Sequence, residues 1–390
     1  MKQDKQIKTI AFLTACASIL QIGESLLPHP IPGIRFGLAN IITLIALVRL
    51  GFRPALEIAV LRTLVSSFVL GSFLSPAFAL SFSGALTGAL IMGAVYKLAT
   101  FTDKCSFSLI GISLWGALAN NSIQIVLVYF LFIKHPGVFV FLPWLGMSAV
   151  ITGWITGLVA VHVCKRLEQP APRVSAQSNI EIEAPGFISS GYINLNSPVH
   201  RAAPEIKICA AAGTAVLMVW FDSFFEFSAV FLVVLSLIYI SRVPFSDIFN
   251  RLKKLSFFLG SSFLIPFFFV TQGNLLLHTG PVHITQEGII MGFLCTARLT
   301  CMMVCASLLI MTTSPESLTS GVEKLLTPLK LFGISNKRIA VILMLSMQSL
   351  PELWKMIYVN IQNLSPEEKR LKKLVPTTGG LIAAVYRRID

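Results

Sequence analysis

The stretch ESLLPHPIPGIRFGLANIITLIAL, Glu24–Leu47, decides how this chain is read. Three prolines stand within five residues, followed by a glycine, Arg35 and Asn40. Prolines fix the backbone and stop helices, so the segment reads as a turn that ends one helix and aims the next. On either side run apolar segments, roughly Thr9–Leu27 and Phe36–Leu50, near the length of a membrane span. An acid, a base and an amide are thus crowded at a turn between two apolar helices.

Composition extends that reading to the whole chain. Its 390 residues are 55% hydrophobic and only 13% charged, with a mean hydropathy of +0.77. Soluble domains carry about a quarter charged residues, so this supply cannot cover a water-exposed surface of such size. The chain is read as an all-α polytopic membrane protein. Its net charge of +13 comes from short Lys and Arg clusters at the ends of apolar runs, as in cytoplasmic loops. No basic stripe interleaved with aromatics occurs, which excludes nucleic acid as the expected partner and leaves membrane lipid. Seven cysteines occur without a CxxC pair, mostly inside apolar runs. They are read as packing residues, with no metal site or disulfide framework. The first run lacks a cleavage pattern and is read as a span, not a removed signal.

Six spans are drawn in the first half: about Thr9–Leu27, Phe36–Leu50, Ala55–Leu74, Pro76–Leu98, Phe107–Ile133 and Val138–Val163. Basic residues gather at Lys2, Lys5 and Lys8, at Arg49 and Arg53, at Lys97 and Lys104, and at Lys165 and Arg166. This alternation puts both ends of the half, and the N-terminus, in the cytoplasm. A segment rich in Pro, Ser, Asn and Ala follows, read as a cytoplasmic linker over residues 167–206. It separates a six-span domain, 1–166, from a second helical domain, 207–390. Spans in the latter lie near Ile208–Phe221, Phe227–Ile240, Leu255–Val270 and Gly288–Met311. The Arg242–Lys254 loop is basic and inside; the Thr271–Glu287 loop has no Lys or Arg and lies outside. Beyond Met311 an amphipathic tail is expected to lie along or below the membrane, with Ile339–Leu350 a candidate embedded stretch. Within it, Ser314 before Pro315 is a helix start.

Polar residues inside the spans are the candidate site. Glu24, Arg35, Asn40, Arg62, Asn120, Asn121 and Gln124 fall in or beside the first, second, third and fifth spans. A lone charge in hydrocarbon costs at least about 2.5–3.5 kcal/mol, so these groups should face a cavity or one another. Two readings stay open: a pocket that fixes a small solute by hydrogen bonds, or a polar cluster that pins helices. Glu57 and Arg53, near the membrane boundary, are read as snorkelling. Small residues recur at four-residue spacing in Ala11/Ala15, Gly84/Gly88 and Gly153/Gly157, which lets helices approach closely. No nucleophile–base arrangement and no phosphate-binding glycine loop is present. The five aspartates are scattered, so magnesium-bound pyrophosphate chemistry is not expected. His278 and His283, in HTGPVH, are read as incidental.

The opening stretch, with LSFSGALTGALIMG (Leu80–Gly93) and GISLWGALANNSIQ (Gly111–Gln124), resembles the Gx transporter family, also labelled heptaprenyl diphosphate synthase component I. The resemblance covers about Thr9–Val163. It implies a fold like the substrate-binding S component of energy-coupling-factor (ECF) importers, six helices around an outward-facing pocket. It also implies that Ala11 and Ala15 form the face that meets the T component.

From about Ile208 the chain is similar to ECF T components of the CbiQ type. The matching residues are YISRVPFSDIFNRLKKL, ARLTCMMVCASLLIMTTSPESLTSGVEKLLTPLKLFGIS and MLSMQSLPEL. This resemblance implies a coupling region around Ser314, Pro315, Pro328, Gly333 and Pro351, two cytoplasmic ABC-type ATPase subunits as partners, and ATP used by those subunits with no cofactor on this chain. After the coupling region the chain reads NLSPEEKRLKKL and ends AAVYRRID, without the Ala-Arg-Gly-like triplets by which T components dock their ATPases. The expectation is a fused S-plus-T importer subunit of a bacterial inner membrane. The alternative is a non-catalytic membrane component of heptaprenyl diphosphate synthase.

Overall fold

A computed structural model describes residues 2–26, 37–101, 108–168, 191–254, 256–270, 272–279, 282–328 and 336–362. Arg35 and Gly333 lie outside them. The first half is α1 (Lys2–Leu26), α2 (Leu38–Leu50), α3 (Phe52–Leu70), α4 (Pro76–Phe101), α5 (Leu109–Leu127) and α6 (Leu142–Glu168). A π turn, Val128–Ile133, extends α5, and a 3-10 turn, Pro136–Phe141, leads into α6. Glycines with left-handed φ sit at two of the joints, Gly37 before α2 and Gly71 after α3; the absence of a Cβ permits that backbone.

Among the described residues, six helices are long and apolar enough to cross a membrane, four of them in this half. The other two of the six runs drawn from sequence are α2 and α3. The 13 residues of α2 reach only about 20 Å, against about 30 Å of hydrocarbon. By contrast α3 is long enough but polar, and it is central: Arg62, Thr63, Ser66 and Ser67 are all buried in it. A helix walled by protein does not have to satisfy the lipid.

Small residues set the α4–α5–α6 packing. A methyl placed on Gly157 would lie 2.7 Å from the Ile110 Cα, and one on Gly153 2.9 Å from the Leu114 Cα. Both glycines of this GxxxG pair thus press α6 against the α5 backbone. Ser113 and Thr156 share a hydroxyl hydrogen bond of 2.7 Å in the same seam.

The second half runs α7 (Pro198–Arg201), α8 (Pro204–Trp220), α9 (Phe224–Ser241), α10 (Phe245–Lys254) and α11 (Ser256–Phe269). After these come β1 (Leu275–Thr279), β2 (Val282–Thr285), α12 (Gln286–Met311), α13 (Pro315–Leu325) and α14 (Asn336–Gln362). The segment between α11 and α12, read as a plain loop, contains an antiparallel hairpin in which His278 pairs in register with His283. Residues 191–201, assigned to the linker, are fastened to the second half. The Ile193 amide donates to the Met311 carbonyl at 3.0 Å. Nearby, Lys207 donates to the carbonyls of His200 and Thr312 at 3.2 and 2.8 Å.

The amphipathic tail is not peripheral to the fold. Ile342, Leu343, Leu350 and Leu353 of α14 are buried in a core shared with α1, α2 and α3. Ser314 caps α13, its hydroxyl accepting from the Ser317 amide at 3.3 Å, and Pro315 opens that helix. Pro328 is exposed just beyond α13, and Pro351 lies inside α14.

The relation between the halves differs from two upright bundles side by side. Loop charge gives the expectation that Gly71, at the end of α3, and Arg251 lie on opposite sides. Yet Arg251 Nη1 donates to the Gly71 carbonyl at 3.0 Å, and a methyl on Gly71 would lie 3.2 Å from Ile310, near the C-terminal end of α12. The C-terminal end of α5 meets Arg298 of α12 through the Phe132 carbonyl at 2.8 Å. Ile310 and Arg298 are about 18 Å apart along a helix. The C-terminal ends of α3 and α5 are therefore laid along α12, and the two bundles cross. Local charge counting assigns a side to each loop but carries no information about the tilt between domains.

Candidate functional site

Five helices of the first half converge on one polar cavity. Gln21 and Glu24 come from α1, Asn40 from α2, Arg62 and Thr63 from α3, Ser81 and Ala85 from α4, and Asn120 and Gln124 from α5, with Gly37 at the rim. Of the sequence candidates, Glu24, Asn40, Arg62, Asn120 and Gln124 meet here. Space inside is about 30 Å³, room for one or two waters. A vitamin-sized solute requires several hundred Å³, so the cavity as it stands is too small for one.

Arg62 is the centre. It is buried, and its Nη2 donates to Asn40 Oδ1 at 2.5 Å, with Nη1 3.5 Å from Gln21 Oε1. These two acceptors are neutral amide oxygens, and Glu24 lines the same cavity, so the site holds one basic and one acidic group. The Ser18 hydroxyl, one turn before Ile22 on α1, is bonded to the Thr14 carbonyl at 2.8 Å and lies 3.3 Å from the Arg62 carbonyl.

Glu24 has a different task. Its two carboxylate oxygens accept from the backbone amides of Gly37 and Leu38 at 2.8 and 3.3 Å. Those are free amides at the start of α2, where the helix dipole favours a negative group. Glu24 thus ties the end of α1 to the start of α2, and also lines the cavity.

The α5 amides divide. Gln124 and Asn120 line the cavity, whereas Asn121 points to α6 and donates to the Leu145 carbonyl at 2.9 Å and to Ser148 at 3.1 Å. Adjacent residues on a helix differ by 100° in direction, so only one of the pair can face inward. Asn121 is a helix-packing residue joined to the site through Asn120, whose amide donates to its oxygen at 3.0 Å. Gly84 makes room for this arrangement: a methyl there would land on the Asn120 amide oxygen and lie 2.9 Å from Gln124 Nε2. Gln21, Thr63 and Ser81 were missed by the sequence reading. Gln21 carried a usable signal, being three residues from Glu24 and so on the same helix face.

The contact between halves starts at the small-residue face of α1. Ala11 and Ala15 are buried, and the Ser346 hydroxyl of α14 lies between the Ala11 carbonyl at 2.8 Å and the Ile342 carbonyl of its own helix at 2.6 Å. Absence of side-chain bulk lets a serine reach a backbone carbonyl across two helices. Glu57, read as snorkelling, instead pairs with Arg338 of α14 at 3.0 Å. Among the described residues no group of three or more His, Cys, Asp or Glu is placed to hold a metal ion.

Residues 13–163 match the family described as heptaprenyl diphosphate synthase component I, and residues 195–359 match the family described as cobalt transport protein, CbiQ. Relatives with the name energy-coupling factor transporter transmembrane protein EcfT include one from Thermosediminibacter oceani, 32% identical over 164 residues, which are 42% of this chain and 61% of that protein. The protein of that name from Listeria innocua serovar 6a is 30% identical over 43% of this chain and 63% of its own length. For Streptococcus thermophilus the figures are 26% identity over 52% of this chain and 81% of the relative. The chain spans about three fifths of the length of the first two. This membrane protein thus joins a first half similar to heptaprenyl diphosphate synthase component I to a second half similar to CbiQ, and is similar to EcfT transmembrane proteins.

Proposed function

We propose that the chain is a solute-binding and energy-coupling subunit, fused in one polypeptide, of an ATP-driven ECF-type importer in a bacterial inner membrane. The observation that carries this reading is the union of a five-helix polar cavity with a CbiQ-like half, joined where α14 packs on the small-residue face of α1. Arg62, Asn40, Asn120, Gln124 and Glu24 take the solute; one base and one acid among amides suit a small polar molecule. Arg35, which lies outside the described residues, belongs to the same proposal on its place in the sequence between the first two apolar runs.

In this reading the N-terminus is cytoplasmic and separate ATPase subunits hydrolyse ATP. Their work reaches the first half through α13, α14 and the α1 contact. The crossed arrangement, with its cavity closed to one or two waters, corresponds to the state after solute has left. Loading requires the first half to turn upright so that its outer helix ends face the outside again.

The test is co-expression of the full chain with ECF ATPase subunits and reconstitution into proteoliposomes, with native mass spectrometry to identify a retained solute. ATPase subunits that co-purify, together with ATP-dependent uptake of that solute, are expected. Failure of both overturns the reading. The family description matched by residues 13–163 favours a second reading, a non-catalytic membrane component of heptaprenyl diphosphate synthase. Adding the chain to the catalytic partner separates the two, since that reading requires a changed prenyl-chain product.

A further inference from the structure

Two arginines of the second half cross to the first, and each ends on a carbonyl at the C-terminal end of a helix. Arg251 of α10 donates to the Gly71 carbonyl at 3.0 Å. Gly71 caps α3 in a left-handed conformation, its own amide bonded to the Ser67 carbonyl. Arg298 of α12 donates to the Phe132 carbonyl at 2.8 Å, in the π turn that closes α5. Carbonyls in the last turn of a helix have no partner within it and carry the negative end of its dipole. A guanidinium supplies both the donor and the opposite charge.

The π turn prepares the second of these grips. It closes with the Lys134 amide on the Tyr129 carbonyl at 2.8 Å, and Lys134 itself adopts a left-handed φ of 51°. The Phe132 carbonyl is left to Arg298, and the Ile133 carbonyl faces Cys295 Sγ at 3.6 Å. Left-handed backbone at a non-glycine residue is costly. Here it coincides with an ion pair, since Lys134 Nζ reaches Asp222 Oδ1 at 2.8 Å. That same oxygen lies 3.1 Å from Arg298 Nη2.

Arg298 is also held by its own half. Besides Asp222, it donates to the carbonyls of Met218 at 3.0 Å and Phe221 at 2.8 Å. If the first half departs, Arg298 loses the Phe132 carbonyl and keeps its other three acceptors. The buried guanidinium is therefore pre-positioned, and one hydrogen bond can be made or broken without stranding a charge.

We propose that Arg251 and Arg298 are positioning residues that select the crossed arrangement by gripping the ends of α3 and α5, with Lys134 and Asp222 as a third contact at the rim. The grip is read directly from the contacts; its release during transport rests on the importer reading.

The test uses the full chain with a protease site placed within residues 169–190. After cleavage, one half is captured by its tag and the other half is quantified over time. Wild-type halves should stay together. Arg251→Ala and Arg298→Ala should each speed their separation by about tenfold or more, the loss expected for a hydrogen bond from a charged donor. Arg298→Lys, which keeps the charge and a donor, should restore part of the retention. Should Arg298→Ala fail to accumulate, Arg251→Ala, on a surface helix, decides alone. Unchanged retention in the variants, or wild-type halves that separate at once, overturns the proposal. Wild-type halves that hold while ATP-dependent uptake is absent would count against the importer reading and not against the grip.

Discussion

Arg62 is where the chemistry of the first half concentrates. Its buried guanidinium reaches Asn40 and Gln21 and lines the cavity together with Glu24. Arg62→Ala should lower solute retention by about 10- to 100-fold, as loss of a hydrogen bond from a charged group implies. Native mass spectrometry of the folded, monodisperse variant reads that loss directly. Retention equal to wild type would make Arg62 a helix-pinning residue, the other reading left open by the sequence. Glu24 shows why residue type alone did not fix a role. An acid near the end of an apolar run is legible as a candidate, but its bonds to the Gly37 and Leu38 amides depend on where the start of α2 lies against α1.

At the scale of elements, the four-residue spacings have unequal meanings that only packing separates. Gly153 and Gly157 hold α6 against the α5 backbone, Gly84 gives the Asn120 amide its place, and the Ala11 carbonyl lies against Ser346 of α14. Gly157→Val should destabilise the first half by about 1–3 kcal/mol, because its branched side chain meets backbone that cannot move aside. Thermal unfolding of the purified chain measures this, and an unchanged midpoint would contradict the seam. The helix positions themselves were mostly legible: the runs drawn at Pro76–Leu98 and Gly288–Met311 lie within α4 and α12. What the pattern misjudged was α2, too short to span, and the loop that folds as the β1–β2 hairpin. An apolar run reports burial without saying whether lipid or protein does the burying.

The whole molecule is held by contacts distant in sequence, including Ser346 to Ala11, Glu57 to Arg338, Arg251 to Gly71 and Arg298 to Phe132. The Glu57–Arg338 pair is partly exposed, with side chains 32% and 28% accessible, so its contribution is about 0.2–1 kcal/mol. Glu57→Arg should weaken retention of the halves after linker cleavage by a factor of a few, and adding Arg338→Glu should recover it. A double variant no better than the single one would show that the pair adds nothing to the interface.

The sequence by itself determined the membrane class, the helical elements and most of the polar residues that meet in the cavity. These follow from composition and local periodicity: charge too scarce for a soluble surface, prolines that must break helices, and amides that cannot face hydrocarbon alone. Only the tertiary structure decided that Asn120 turns inward while Asn121 packs on α6, that Glu24 caps α2, and that the two bundles cross. Those outcomes depend on partners up to hundreds of residues away, and the helix ends and arginines that meet there carry no local mark of one another.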